Sequence, residues 1–141
     1  MKYSNEYFTY EMPEGWITEE GDGCFSLYNP SGKGALTLSY YYFTEDFTSD
    51  LNSIGALDSQ ISVMAKQFSE NNEIVMDNPF IIYSKDDKRI IYGTGKTLDN
   101  WFIKIWIVAD YTQMILASYE SKKNNKETKI CDSVIDSISF C

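Results

Sequence analysis

A stretch of nine residues that is apolar on both sides, 101–109, constrains this fold more than any other segment. Side chains in a β-strand point alternately to opposite faces. One face would carry Trp101, Ile103, Ile105 and Ile107, and the other would carry Phe102, Lys104, Trp106 and Val108. A strand that is apolar on both faces is normally covered on both. The pattern therefore predicts a sheet with a packed layer on each side.

Short connections indicate how this strand pairs. The segments 84–88, 97–100 and 110–112 separate strands predicted over 89–96, 101–109 and 113–119. A parallel crossover needs about a dozen residues, so these strands must form an antiparallel meander. Further strands are predicted over 7–12, 24–28, 35–43 and, irregularly, 73–83, with an acidic turn at 19–23. The sheet would then have about seven strands.

Two segments have helical periodicity. Apolar residues within Leu51–Phe68 recur every three or four positions, and Thr48 or Ser49 could cap the start of that helix. A second apolar stripe runs from Ile130 to Ile138. We predict an α+β fold with the two helices on opposite faces of the sheet, an α/β/α arrangement. Periodicity leaves open that both helices lie on one face. The length of 141 residues fits a single domain over 1–141.

The chain is acidic, with a formal charge of −9. Residues 1–80 hold 13 acidic side chains and three lysines, a balance of −10. Such a charge disfavours binding to nucleic acid or to an anionic membrane surface. It suits a basic protein partner, or it simply keeps the surface solvated. We expect a protein partner.

Histidine is absent, which excludes every mechanism that uses imidazole. The cysteines Cys24, Cys131 and Cys141 are an odd number without a C-x-x-C pair, as in reduced cytosolic proteins. Residues 1–14 contain no apolar core of signal-peptide length. We expect a cytoplasmic protein in which Cys131 is a small buried side chain of the second helix.

The string Gly93–Thr97 ends like a phosphate-binding loop. The complete motif needs a glycine where Ile90 stands, and it needs a helix directly afterwards. Since another strand follows, we predict a hairpin whose glycines relieve crowding. No catalytic residue, metal ligand or cofactor is predicted.

Exposed acids and tyrosines are the remaining candidates for function. The carboxylates of 19–22 and 45–50 fit neither a calcium loop nor a raised-pKa acid, and are typical of exposed turns. The run Tyr40–Phe43 would divide between the core and an amphipathic surface. The predicted partner surface comprises Glu19, Glu20, Asp22, Tyr41, Glu45 and Asp46.

The order of elements resembles the Mog1/PsbP-like superfamily, including its small uncharacterised bacterial members. The opening segment Tyr7–Trp16 is similar in that an alternating strand ends at Pro13 and is followed by tryptophan. The closing segment Val134–Phe140 is similar to the final helix and its Ile/Ser/Phe tail. The resemblance implies an antiparallel sheet with flanking helices and a mostly noncatalytic adaptor or assembly role. It implies neither Ran binding nor a photosystem role, because no functional residue of those proteins matches a position here.

The leading hypothesis is a noncatalytic protein-binding domain and not an enzyme. One alternative is an immunity protein that neutralises a basic toxin, a task that suits a small acidic domain. A second alternative is a small-ligand carrier or a histidine-free hydrolase with a pocket between sheet and helix.

Overall fold

The computed structural model describes residues 1–45, 48 and 51–141. Its strands and helices, in chain order, are β1 (Lys2–Ser4), β2 (Phe8–Glu11), β3 (Ile17–Glu20), β4 (Cys24–Tyr28), β5 (Gly34–Tyr42), α1 (Ile54–Asn71), β6 (Val75–Met76), β7 (Ile81–Lys85), β8 (Lys88–Lys96), β9 (Phe102–Ala109), β10 (Gln113–Ser121), α2 (Glu127–Ser137) and β11 (Ser139–Phe140). Among the described residues, neither helix has the length and apolarity needed to cross a bilayer.

The main sheet has eight strands in the order β3-β4-β5-β10-β9-β8-β6, and β7 also pairs with β8. Every pairing in it is antiparallel. The predicted meander of the second half is confirmed by the neighbouring positions of β8, β9 and β10. At its centre Trp106 lies opposite Ala117 on one side and Tyr92 on the other.

Strand β9 is buried along its whole length, and no residue in it is more than 8% exposed. Trp106 and Val108 belong to a core cluster that includes Val134 and Ile135 of α2. The alternating residues face α1: Ile107 and Ala109 share a cluster with Leu57, Ile61 and Ala65. Because neighbouring residues of a strand point to opposite faces, the helices cover opposite faces of the sheet. The α/β/α arrangement is therefore confirmed, and the placement of both helices on one face is wrong.

A second, three-stranded sheet, ordered β1-β2-β11, lies on the α2 side. The predicted strand over 7–12 forms as β2. It pairs with β1 and β11 and not with a strand of the main sheet. Phe8 and Tyr10 are fully buried, and the rings of Phe8 and Phe25 meet edge to face at 5.3 Å. Strand β2 is thus held to the main sheet by apolar packing against its face, and not by backbone hydrogen bonds along its edge.

Two local predictions were wrong. Glu19 and Glu20 lie in β3, paired with β4, and not in a turn; an edge strand leaves such charged side chains in water. Helix α1 begins at Ile54 and not at Leu51, because the Ser53 hydroxyl accepts a hydrogen bond from the Ala56 amide at 3.1 Å. The Thr48 hydroxyl donates to the Glu45 carbonyl instead, and Ser49 lies outside the described residues.

Lys104 is a charged residue inside β9, only 8% exposed. Its ammonium group donates to the Asp132 carboxylate of α2 at 2.8 Å and lies 4.6 Å and 5.2 Å from the rings of Tyr92 and Trp106. The Trp106 indole donates to the same carboxylate oxygen at 3.1 Å. A buried charge is tolerated only when it is paired and hydrogen-bonded, so this contact fixes α2 over β9.

Glu127, at the start of α2, is also buried and ties this helix to the loop before β5. Its Oε1 accepts hydrogen bonds from the Lys33 amide at 3.1 Å, the Gly34 amide at 3.2 Å and the Tyr119 hydroxyl at 2.7 Å. Gly32, in the same loop, allows this close approach, since a Cβ there would lie 2.1 Å from Glu127 Oε2. Burial, together with the hydrogen bond to Glu127, raises the pKa of Tyr119 to about 12.

The raised pKa of Tyr119 predicts a loss of stability at alkaline pH. A phenol whose pKa is higher in the folded chain than in the unfolded chain stabilises the fold fully below the unfolded pKa. That contribution disappears as the pH rises from 10 to about 12. Urea unfolding across this pH range should show a smaller decline for Tyr119→Phe than for the wild type. The exposed control Tyr41→Phe should decline like the wild type, and equal slopes for all three proteins would contradict the assignment.

Because only one face of α1 is buried against the sheet, substitutions along α1 should lower the free energy of unfolding by unequal amounts. Ile61 is fully buried and Val63, two residues on, is 47% exposed. Ile61→Ala should lower the free energy of unfolding by about 2–4 kcal/mol, because it leaves a cavity against β9. Val63→Ala should change it by about 0.5 kcal/mol or less. Urea unfolding measures both, and similar losses would mean that α1 does not bury this stripe.

Candidate functional site

The glycine string Gly93–Thr97 has a packing role. Gly93 and Gly95 lie within β8, and β9 follows the turn after it. A Cβ on Gly93 would lie 2.8 Å from the Phe80 ring, and one on Gly95 would lie 2.4 Å from the Val75 carbonyl oxygen. The prediction that these glycines relieve crowding in a hairpin is confirmed.

An open cleft of about 400 Å³ lies between the β1–β2 loop and the β3–β4 turn. The carboxylates of Glu6, Glu20 and Asp22 line it, together with Tyr7. A smaller depression of about 250 Å³ adjoins this cleft, since Tyr7 and Gly23 line both. We call the combined region the acidic tyrosine surface; it comprises Glu6, Tyr7, Glu20, Asp22, Tyr40, Tyr41 and Tyr42.

The predicted partner residues are divided by the fold. Glu20, Asp22 and Tyr41 come together in the acidic tyrosine surface. Glu19 neighbours Glu20 on β3 but points to the other face, where it accepts a hydrogen bond from the Tyr28 hydroxyl at 2.8 Å. Glu45 is exposed and lines neither cleft, and Asp46 lies outside the described residues.

Sequence reasoning missed Glu6, Tyr7, Tyr40 and Tyr42 as members of this surface. The tyrosine run 40–42 is the sequence signal that could indicate this surface, but which of its rings are accessible depends on how β5 pairs. Glu6 and Tyr7 reach the surface only because β2 folds over the main sheet, and no local pattern in 1–12 reports that.

The tyrosines are held in place by contacts beneath them. The rings of Tyr7 and Tyr40 stack at a centroid distance of 4.6 Å, and the Tyr40 hydroxyl donates to Gln113 Oε1 at 2.7 Å. The Tyr40 amide donates to the Gly23 carbonyl at 2.9 Å, so β5 also fixes the β3–β4 turn. Gly23 has a φ of 71°, in the left-handed region that favours glycine. The surface is thus built on a hydrogen-bonded frame.

The electrostatic field of this surface is negative. The Glu6 carboxylate, through a hydrogen bond and its charge, raises the pKa of the Tyr7 phenol, and the charge of Asp22 raises it further. No lysine or arginine lines either cleft. Among the ion pairs of the described residues, none includes Glu6, Glu20 or Asp22. Three carboxylates therefore face solvent beside stacked aromatic rings without a cationic partner in the described chain.

In the described part of the chain, no group of three or more cysteine, aspartate and glutamate side chains is placed to hold a metal ion. The acidic tyrosine surface instead offers hydrogen-bond acceptors and ring faces. Such groups recognise guanidinium and ammonium ions.

Two solved structures share this architecture. The solution structure of cyanobacterial PsbP (CyanoP) from Synechocystis sp. PCC 6803 matches with a TM-score of 0.63 at 14% identity, over 100% of this chain and 92% of that one. The chain has a Mog1/PsbP-like fold. A crystal structure from Bacteroides thetaiotaomicron VPI-5482 matches with a TM-score of 0.56 at 15% identity, over 99% of this chain. The chain spans 48% of the length of the Bacteroides protein. At these identities the likeness concerns the fold.

Neither family models nor curated proteins match the sequence. The resemblance predicted from the opening and closing segments is nevertheless confirmed at the level of the fold.

The contribution of Glu6 to the negative field at Tyr7 can be measured through the pKa of Tyr7. Glu6→Gln should lower the pKa of Tyr7, because it removes the neighbouring charge that raises it. The ¹³Cζ chemical shift of each tyrosine, followed by NMR from neutral to alkaline pH, reports these values. Tyr28 is an internal control, since its pKa is raised by Glu19. An unchanged pKa of Tyr7 in the variant would show that the Glu6 carboxylate does not act on Tyr7, and Glu6 would not belong to the acidic tyrosine surface.

Proposed function

We propose that the protein is a noncatalytic binding domain whose acidic tyrosine surface takes a basic segment of another protein. The observation that carries this proposal is the group of three carboxylates, Glu6, Glu20 and Asp22. They form no ion pair within the described residues, and they border the stacked Tyr7 and Tyr40 rings. The excess of acidic residues in 1–80 supports it, because a field of one sign steers an oppositely charged partner.

The chemistry of recognition follows from the groups present. An arginine or lysine of the partner would donate charge-assisted hydrogen bonds to the carboxylates. Its side chain could lie against the Tyr7 or Tyr40 ring face, where a cation is attracted by the π-electrons. Tyrosines held by stacking lose little conformational entropy on binding, which favours affinity.

The proposal includes a cytosolic location. It is supported by three cysteines that form no disulfide: Cys24, Cys131 and Cys141. Cys131 is fully buried, and burial raises the pKa of its thiol, so its environment is that of a packed side chain.

Capture of the partner and a charge-matched comparison test the proposal. The protein would be used to isolate binding proteins from its native host, and the affinity of each purified candidate would then be measured by calorimetry. We expect a basic partner whose affinity falls at least about tenfold when Glu6→Gln, Glu20→Gln and Asp22→Asn are combined. The matched control combines Glu14→Gln, Glu70→Gln and Asp87→Asn, which removes the same charge from other exposed positions.

Ionic strength provides the second measurement. The association rate of the wild type should fall about tenfold between roughly 50 mM and 300 mM NaCl, since salt screens steering charges. The triple variant at the acidic tyrosine surface should show a much weaker dependence. Equal losses in the two triple variants would mean that only net charge matters. A partner that binds both variants as tightly as the wild type would place the interface elsewhere and defeat the proposal.

A further inference from the structure

A second concave region lies around Trp101, on the sheet face that α1 covers only in part. Helix α1 packs against β6, β8 and β9, while β4 and β5 lie further along the sheet. One cleft of about 450 Å³ runs between Trp101 and the end of α1, and another of about 420 Å³ runs between Trp101 and β5. Trp101 and Glu120 line both clefts, so the two clefts adjoin, and together we call them the Trp101 groove.

The backbone of Trp101 is hydrogen-bonded in a turn, and the residue remains partly exposed. Its amide donates to the Thr97 hydroxyl at 3.1 Å, and its carbonyl accepts from the Thr97 amide at 2.9 Å. Asn100 completes this turn in the left-handed conformation, with a φ of 65°. The Trp101 side chain is 38% exposed, in contrast to Trp16 at 6% and Trp106 at 1%. A partly exposed indole on a hydrogen-bonded turn offers an apolar ring face to a ligand.

The floor beside Trp101 is a row of hydroxyl groups. Ser26, Thr37 and Ser118 occupy paired positions on β4, β5 and β10, so their side chains share one face. Thr37 and Ser118 line the groove itself, and all three residues are partly exposed. No hydrogen-bond partner for these hydroxyls occurs within 1–45, 48 and 51–141. Each can therefore donate one hydrogen bond and accept others.

We propose that this groove binds a neutral oligosaccharide, with one pyranose ring stacked on Trp101 and its hydroxyl groups bonded to Thr37, Ser118 and Glu120. A pyranose combines an apolar C–H face with a rim of hydroxyls, which matches an indole beside a hydroxyl-lined floor. The Glu120 carboxylate can accept hydrogen bonds from two adjacent sugar hydroxyls. Glu73 and Asp99 add negative charge to the groove and disfavour an acidic sugar.

A neutral sugar uses this groove more completely than a cation would. A guanidinium or ammonium ion only donates hydrogen bonds, so it can use the acceptor capacity of the hydroxyl row but not its donors. A sugar hydroxyl both donates and accepts. The groove adjoins the start of β5, at Gly34 and Thr37, whereas the acidic tyrosine surface adjoins its end, at Tyr40–Tyr42, and this inference does not rest on the proposed function.

Titration with four defined sugars tests the proposal: cellohexaose, maltohexaose, mannohexaose of β-1,4 linkage and N-acetylchitohexaose. Calorimetry and tryptophan fluorescence would be followed for the full chain. We expect at least one sugar to bind with a Kd below about 5 mM, which corresponds to a weak but specific site. Trp101→Ala should weaken that binding by at least about twentyfold, and Thr37→Val with Ser118→Ala by about three- to tenfold.

Matched variants keep the result interpretable. Tyr111→Ala removes another ring of similar exposure, 40%, at the next hairpin, and should leave sugar binding unchanged. Trp101→Phe keeps an aromatic platform, so it should retain most of the affinity even if Trp101→Ala folds poorly. The variant Glu6→Gln, Glu20→Gln, Asp22→Asn should bind sugar like the wild type, which separates this site from the acidic tyrosine surface.

Salt and a cationic probe identify the competing occupant. Binding of a neutral sugar should not change between about 50 mM and 500 mM NaCl, since no charge is neutralised. Failure of all four sugars to bind would overturn the proposal. So would binding of spermine that Trp101→Ala abolishes and salt weakens, without any sugar binding, because the groove would then be a cation site.

Discussion

The burial of β9 on both of its faces is the constraint on which the rest of the structure depends. A strand with eight consecutive buried residues cannot lie at a surface, so a layer has to cover each side. Helix α1 covers one side through Leu57, Ile61 and Ala65, and α2 covers the other through Val134 and Ile135. The two candidate surfaces then lie on the parts of the sheet and its loops that these layers leave accessible. The acidic tyrosine surface lies where the small sheet ends, and the Trp101 groove lies where α1 ends.

The buried polar contacts refine this arrangement. Apolar packing alone would allow α2 to slide along the sheet, because its contacts are not directional. The Lys104–Asp132 ion pair and the hydrogen bonds to Glu127 are directional, and both join α2 to strands of the main sheet or their loops. Removal of Asp132 would leave the buried Lys104 ammonium group without its charged partner. These contacts therefore define one position of α2, and that position also sets the course of β11 alongside β2.

Much of the architecture could be predicted from local patterns, and the reason lies in particular segments. The alternation in 101–109 and the short turns around it required an antiparallel meander with two covers. By contrast, β11 is two residues long, and its pairing of Phe140 with Phe8 joins opposite ends of the chain. No periodicity is measurable over two residues. Thr48, Ser49 and Ser53 all carry a hydroxyl that could cap the helix, and only the observed bond from the Ala56 amide identifies Ser53 as the cap. The acidic tyrosine surface could be predicted only in part for the same reason. Glu20, Asp22 and Tyr41 lie in segments whose local sequence indicates a turn or a strand, whereas Glu6 and Tyr7 join the surface only through tertiary folding.

The position of β3 at the end of the main sheet has a consequence for self-association. Its outer backbone groups have no neighbouring strand in the sheet order, which makes such an edge a template for a second molecule. Docking two copies there would bring Glu19 on one face and Glu20 on the other near their equivalents in the second copy, at a cost in electrostatic repulsion. The same acidic side chains that give the protein its surface charge thereby protect it against polymerisation through open strands at high concentration.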